Sequence, residues 1–251
     1  MTVSRSLTLK LMPDAETAAA AVARQIAELV ATRPDAVLGL ATGGTMEPVY
    51  AHLVRAHREG LSFARVRTVN LDEYMGLPPD HPNSYHSYMA RHFLDHVDIP
   101  HEQSFIPRGD QNAEASARDY AALLDRIGPV DLQLLGVGHN GHIAFNEPGT
   151  SIDAPTRVVR LSDETRRANR RFFAEGESVP SEAVTMGTAQ ILSARSLLTL
   201  AVGEAKAAAL SAALDGPVSP DCPASYLRLH HSCTIFTDEA AGFNLRCNLL
   251  F

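Results

Sequence analysis

His142 and Glu147 stand in the run Gly136-Val137-Gly138-His139-Asn140-Gly141-His142-Ile143-Ala144-Phe145-Asn146-Glu147-Pro148, directly after an apolar stretch from Val130 to Leu135. A histidine and a carboxylate on one such turn are candidates for acid/base work, because surroundings can tune either to exchange a proton near neutral pH. Ligands of open parallel sheets lie beyond the carboxyl ends of the strands, so the edge is the right place for them. Gly136, Gly138 and Gly141 allow backbone conformations closed to other residues and a close approach to a ligand. The competing reading is a strand-ending turn whose histidine only caps the chain.

A second source of proton chemistry is Asn70-Leu71-Asp72-Glu73-Tyr74-Met75-Gly76-Leu77, with two adjacent acids after another apolar stretch. Neighbouring side chains diverge, so one of Asp72 and Glu73 faces a ligand while the other binds backbone or solvent. A carboxylate can take a proton from carbon when the carbon lies next to a carbonyl or iminium and water is kept out. Loop capping by acidic residues is the alternative.

Leu38-Gly39-Leu40-Ala41-Thr42-Gly43-Gly44-Thr45 runs from a strand through two glycines into a helix. Such a turn presents backbone N–H groups at a positive helix end, and Thr42 and Thr45 add hydroxyl donors around Gly43 and Gly44, which suits a phosphate. It lacks the lysine of a P-loop and the GxGxxG spacing, so it does not imply a nucleotide. Two cations are placed to close this cradle. Arg171 ends the run Arg166-Arg167-Ala168-Asn169-Arg170-Arg171, and Lys206, one of two lysines in the chain, follows a strand in Gly203-Glu204-Ala205-Lys206. Arginine suits bidentate phosphate contact and lysine acts as a point charge, although a run of arginines on a helix is otherwise a solvated face.

These groups need elements to hold them. Leu7 to Met12 alternates as a strand, and Asp14 is placed to cap a helix with Val22, Ile26, Leu29 and Val30 on one face. Strands are expected at Ala36 to Leu40, Val66 to Leu71, Val130 to Leu135, Arg157 to Leu161, Leu197 to Val202 and Thr234 to Thr237. Helices are expected at Glu47 to His57, Tyr85 to His96, Ala113 to Ile127, Ser162 to Phe173 and from Glu204 onward. Alternation of this kind predicts an α/β fold, a three-layer Rossmann-like, doubly wound and mostly parallel sheet, with residues 1–251 forming a single domain.

Composition narrows the partners. At 251 residues, 45% hydrophobic and 20% charged, the chain can bury a core without staples, and no apolar run nears the roughly 18 residues of a membrane span. Met1 to Arg5 leads into no secretory signal, which makes the cytoplasm the expected location. Cys222, Cys233 and Cys247 form no CxxC pair, so neither a disulfide framework nor a metal site is expected. A net charge of −7 and scattered arginines argue against nucleic acid, and leave the attraction of any anion to local groups.

The threonine-glycine loop, Asp72-Glu73-Tyr74-Met75-Gly76-Leu77-Pro78 with His81-Pro82 and Ser84-Tyr85, Gly141-His142-Ile143-Ala144-Phe145-Asn146-Glu147-Pro148 and Arg171-Phe172-Phe173 together resemble the glucosamine-6-phosphate deaminase family. Each motif is modest, but their order and spacing are specific, and the likeness spans nearly the entire chain. It implies conversion of glucosamine 6-phosphate and water into fructose 6-phosphate and ammonia, a small sugar phosphate being the partner, with no metal and no organic cofactor. On the family pattern Asp72 moves a proton from C2 to C1, His142 opens the sugar ring with help from Glu147, and Gly43, Gly44, Thr45, Arg171 and Lys206 hold the phosphate.

Two positions depart from the pattern. The family's Asp-Gly-His reads Asn140-Gly141-His142 here, and Asn140 cannot supply the carboxylate that favours a protonated imidazole. Val159 stands where allosteric members carry a lysine, and the chain stops at Phe251, so control by an amino-sugar phosphate is not expected. Two rival readings remain. A 6-phosphogluconolactonase-type hydrolase would be expected to show Asp-Glu-Arg at Asp72-Glu73-Tyr74, and a sugar-phosphate sensor would keep the cradle and lose the acid/base groups. A single chain and a homo-oligomeric ring both fit the sequence.

Overall fold

The computed structural model describes residues 6–245, so the expectations resting on Met1 to Arg5, on Cys247 and on the end at Phe251 lie outside the described residues. Helix α1 (Ala15–Thr32) starts where the Asp14 carboxylate accepts a hydrogen bond from Thr17 N at 2.7 Å, and it buries Ala18, Val22, Ile26 and Val30 along one face. Capping also starts α3 (Tyr85–His92) at Ser84, α4 (Ala113–Ile127) at Asn112 and α5 (Asp163–Asn169) at Ser162. Each supplies a side-chain oxygen to an N–H group that would otherwise lack a partner.

Seven strands form one sheet in the order β1 (Leu7–Met12), β10 (Cys233–Asp238), β9 (Leu197–Ala201), β6 (Leu132–Gly136), β2 (Val37–Leu40), β3 (Arg67–Asn70) and β5 (Ser104–Phe105), every neighbouring pair parallel. β2 and β9 are buried on both faces, which is why they read as unbroken apolar runs. The steps from β1 to β2 and from β2 to β3 run in one direction across the sheet, and the step from β9 to β10 runs in the other. Right-handed crossovers therefore place α1 and α2 (Glu47–Arg58) on one face and α6 (Ala207–Asp215) on the opposite one. The doubly wound, three-layer architecture expected from the sequence is the one observed.

A second sheet departs from that expectation. β4 (Asp72–Tyr74), β8 (Glu182–Thr185) and β7 (Arg157–Arg160) make a three-stranded antiparallel sheet. The strand expected at Arg157 to Leu161 belongs here rather than to the parallel sheet, and the acids at Asp72 and Glu73 lie on a strand rather than a loop. β4 is too short to show alternation, and Glu182–Thr185 was not anticipated, because four residues carry too little periodicity to separate a strand from a turn. Leu71 is the corner: its N–H donates to Leu40 O in the large sheet, and its carbonyl accepts from Met186 N beside β8. Two expected helices are also shorter, with α3 and α5 passing into tight 3-10 turns at Leu94–His96 and Arg170–Phe172.

Two apolar clusters fill the molecule. The larger surrounds the parallel sheet, and the smaller packs Tyr74, Phe145, Leu161, Phe173, Val179 and Ala183 against the antiparallel one. Gly109 seals the turn after β4, since a methyl group there would sit 2.1 Å from Tyr74 O and 2.9 Å from Leu77 O. Both contacts are backbone, so neither can swing aside. Gly109→Ala is expected to cost about 2 kcal/mol of stability, measured as a lower midpoint in urea unfolding; an unchanged midpoint would show that the turn after β4 yields freely.

Candidate active site

The chain order reverses between β2 and β6, so the loops leaving these adjacent strands diverge and open a crevice at their carboxyl ends. A cavity of about 750 Å³ occupies it. Thr42, Gly43, Gly44, Thr45, Asp72, His142, Arg171 and Lys206 all line this space. Asn140 and Glu147 do not, and meet His142 from behind.

One end is built for an anion. Gly43 takes φ +114, its carbonyl accepts from Met46 N and from the Tyr88 hydroxyl at 2.9 Å, and the space above Gly43 and Gly44 is open. α2 starts directly afterward, so its positive end faces the cavity. Lys206 sits on a 3-10 turn whose entry, Gly203 N, is gripped by both oxygens of Asp238 at 3.0 Å. Burial pushes the Lys206 ammonium below its usual range, and the neighbouring Arg171 pushes it further. Two cations thus converge on a half-buried place that an anion would complete. Of the arginine run, Arg170 spends its guanidinium on the carbonyls of Phe173 and Ala174, and Arg166 reaches Val179 O. Arg171 instead rests over the Phe172 ring at 4.8 Å and lines the cavity.

The other end carries the acid/base groups. Asp72 lines the cavity, while Glu73 is fully buried and turned to backbone N–H groups, the divergence expected of neighbours on an extended chain. Burial, reinforced by the charge of Glu73, pushes the Asp72 carboxyl up to about 8. His142 Nδ1 lies 3.6 Å from Glu147 Oε2. Glu147 also accepts from Asn140 Nδ2 at 2.7 Å, from Ser162 Oγ at 3.2 Å and from the Thr165 hydroxyl. Its burial would raise its pKa, but the adjacent imidazole and the donors Thr165 and Asn140 outweigh that and hold it at about 2.

The glycines of the His142 loop act for different reasons. Gly141 takes φ +84, whereas a Cβ on Gly138 would lie 2.3 Å from the His142 ring. Gly136 simply ends β6. Several contributors gave no sequence signal. Ala144, at φ +52 in the cavity wall, is in a region that side chains rarely occupy. Asn146 is fully buried, donating to Ile143 O and Met186 O and accepting from Arg157 Nη1, which ties the loop to the small sheet. Ser162 and Thr165, which hold Glu147, come from the start of α5. Only their polarity could have suggested it.

Fold and site together define an α/β protein whose cavity sets a glycine-lined turn and two cations beside a buried carboxyl group. The family described as glucosamine-6-phosphate isomerases/6-phosphogluconolactonase matches residues 14–236. A Geobacillus sp. (strain WCH70) protein named glucosamine-6-phosphate deaminase is 52% identical, covering 84% of this chain and 85% of its own. One from Bacillus subtilis (strain 168), named glucosamine-6-phosphate deaminase 1, is 50% identical over 88% of this chain and 92% of its own. A solved structure described as a monomeric glucosamine-6-phosphate deaminase superposes with TM-score 0.92 at 47% identity, covering 94% of this chain and 99% of that one. A 6-phosphogluconolactonase from Trypanosoma cruzi shares the fold, with TM-score 0.79 at 19% identity over 97% and 98% of the two chains. The chain belongs to the glucosamine-6-phosphate isomerase/6-phosphogluconolactonase family, and the relatives about half identical to it reported above are named as deaminases.

Asp72 makes the site costly to fold. The unfolded chain ionises it near 4 and the folded protein near 8, so the cost is absent below pH 4, grows as pH rises and is complete above about pH 8. Asp72→Asn is expected to stabilise the protein by up to about 5 kcal/mol at the alkaline end. Thermal unfolding of both proteins from pH 4 to 9 checks it, and a gap that narrows with rising pH would contradict the assignment.

Proposed function

We propose that this protein is a glucosamine-6-phosphate deaminase, isomerising the amino sugar to fructose 6-phosphate with release of ammonia, the chain working as one domain. The observation that carries the reading is a buried carboxyl, Asp72, in the same cavity as an anion cradle closed by Lys206 and Arg171. Thr42 to Thr45, Arg171 and Lys206 take the phosphate, and its two negative charges relieve the repulsion between the cations. His142, oriented by Glu147, moves the proton that lets the sugar ring open. Asp72 then takes the C2 proton, leaving a 1,2-enolamine, and returns it to C1. The product is a C2 iminium, to which water adds as ammonia departs.

Substrate charge supports the amino sugar over a lactone. A protonated amine beside Asp72 favours the carboxylate form that burial opposes, so the substrate itself prepares the base. Phosphate binding at the far end converts affinity into placement of C2. Tyr74, where the lactonase pattern has arginine, accepts from Asn169 Nδ2 at 2.8 Å and packs on Phe173, each two positions from Arg171. The solved relative is described as monomeric, which favours a single chain as the working unit. Among the described residues no helix is long and apolar enough to cross a membrane, and the free thiols Cys222 and Cys233 are in keeping with a reducing cytoplasm.

The deciding assay supplies glucosamine 6-phosphate and measures ammonia and fructose 6-phosphate; hydrolysis of 6-phosphogluconolactone in their place overturns the reading. Asp72→Asn is expected to reduce turnover by about 10³-fold or more while still binding a phosphorylated sugar, and a variant turning over normally would dismiss Asp72 as the base. Lys206→Ala should raise KM by roughly 10- to 100-fold, an effect that should vanish when the comparison is made with an unphosphorylated amino sugar.

A further inference from the structure

The proposed chemistry uses Asp72 and leaves its neighbour Glu73 without a task. Glu73 is fully buried, and a carboxylate taken out of water must be hydrogen-bonded to be tolerated. Its Oε1 accepts from the backbone N–H groups of Tyr74 at 2.8 Å and Tyr85 at 3.0 Å. Oε2 accepts from His86 N at 3.1 Å and lies 2.9 Å from His86 Nδ1. Both oxygens act as acceptors, the pattern of an ionised carboxylate. Two of the backbone donors belong to the first turn of α3, so the same group fastens that helix to β4. Tyr85, at this junction, lines the cavity with Asp72.

The charges around the pair are few. Tyr74 on the same strand, Tyr85 from α3 and Tyr120 from α4 face Asp72, β8 presents the uncharged Thr185, and His142, Arg171 and Lys206 line the shared cavity. Behind Glu73, His86 faces Asp110, which is held by Arg108 at 2.7 Å. Glu73 is thus the carboxylate whose charge bears directly on Asp72. A like charge held in low dielectric makes its neighbour a stronger proton acceptor, and a stronger base takes a carbon-bound proton faster.

We propose, resting on the deaminase reading, that Glu73 is a positioning residue acting through Asp72: a fixed negative charge that strengthens the base while the same carboxylate pins the start of α3 against β4. The test compares the pH dependence of kcat in the wild-type enzyme, Glu73→Gln and Glu73→Asp, the substrate's own titrations being common to all three. Glu73→Gln keeps the shape and loses the charge, and the acid limb is expected to move down by about one pH unit with a fall in kcat. Glu73→Asp keeps the charge and is expected to hold the limb within a few tenths of a unit, at reduced thermal stability. Equal losses of kcat in both variants with the limb unmoved would reduce Glu73 to packing and overturn the proposal.

A readout without substrate separates this from the reaction itself. The stability gained from Asp72→Asn, followed against pH, should have its midpoint shifted down when Glu73→Gln is also present. An unmoved midpoint overturns the coupling whatever the activity, whereas a shifted midpoint with no ammonia released keeps the coupling and removes the reaction. Should Glu73→Gln fail to fold, His86→Ala retains the charge and deletes the ring contact; its limb is expected to stay or rise, and a fall would overturn the proposal.

Discussion

Charge held away from water is the constraint around which the molecule is organised. Lys206 is pushed toward its neutral form by burial and by Arg171, and Asp72 toward its neutral form by burial and by Glu73. Neither arrangement is favourable by itself, and the proposed substrate would relieve both: its phosphate the cations, its amine the acid. With a net charge of −7, the protein's overall field repels an anion. Recognition therefore rests on a few local groups whose desolvation has already been met by folding energy.

The scaffold supplies the placement. Loops after β2, β3, β6 and β9 all leave the same edge of the parallel sheet, which brings the threonine-glycine turn, Asp72, His142 and Lys206 together from distant parts of the chain. Arg171 arrives differently, on the segment that links β7 to β8 of the small sheet. Its position is set by the second apolar cluster, in which Tyr74 contacts Phe145 and Phe173 at ring separations of 5.7 and 5.8 Å. The strand that carries Asp72 thus also carries the residue that anchors the arginine segment. A shift of β4 would disturb Asp72 and Arg171 together.

What was legible in the sequence follows from this division. Strands at Val37–Leu40 and Leu197–Ala201, and helices with capped starts such as Ala15–Thr32, announce themselves through apolar runs, 3.6-residue spacing and capping residues, and candidates at the strands' carboxyl ends could be listed from position, with Asp72 and Glu73 left as alternatives. The small sheet was not legible, because its strands are three or four residues long and their meaning lies in pairings such as Asp72 with Thr185. The partners of Glu147 were hidden for a similar reason. Ser162 and Thr165 look like helix-start residues, and Ser162 does cap α5, yet both also reach a carboxylate 15 and 18 positions earlier. Local chemistry was readable; contacts between segments with no shared periodicity were not.

Asn140 shows how such a contact changes the meaning of a substitution. By the family pattern an aspartate is expected there, and its absence reads as a missing charge beside His142. In the folded protein the Asn140 amide donates to Glu147 Oε2, and its carbonyl accepts from His142 N at 3.2 Å. An aspartate could accept that second bond but not donate the first, and at the same separation two carboxylates would repel unless they shared a proton. Asparagine instead leaves Glu147 ionised, its carboxyl held at about 2 with His142 alongside. The carboxylate beside the imidazole is therefore that of Glu147, and position 140 gives it a hydrogen-bond donor in place of a second acid.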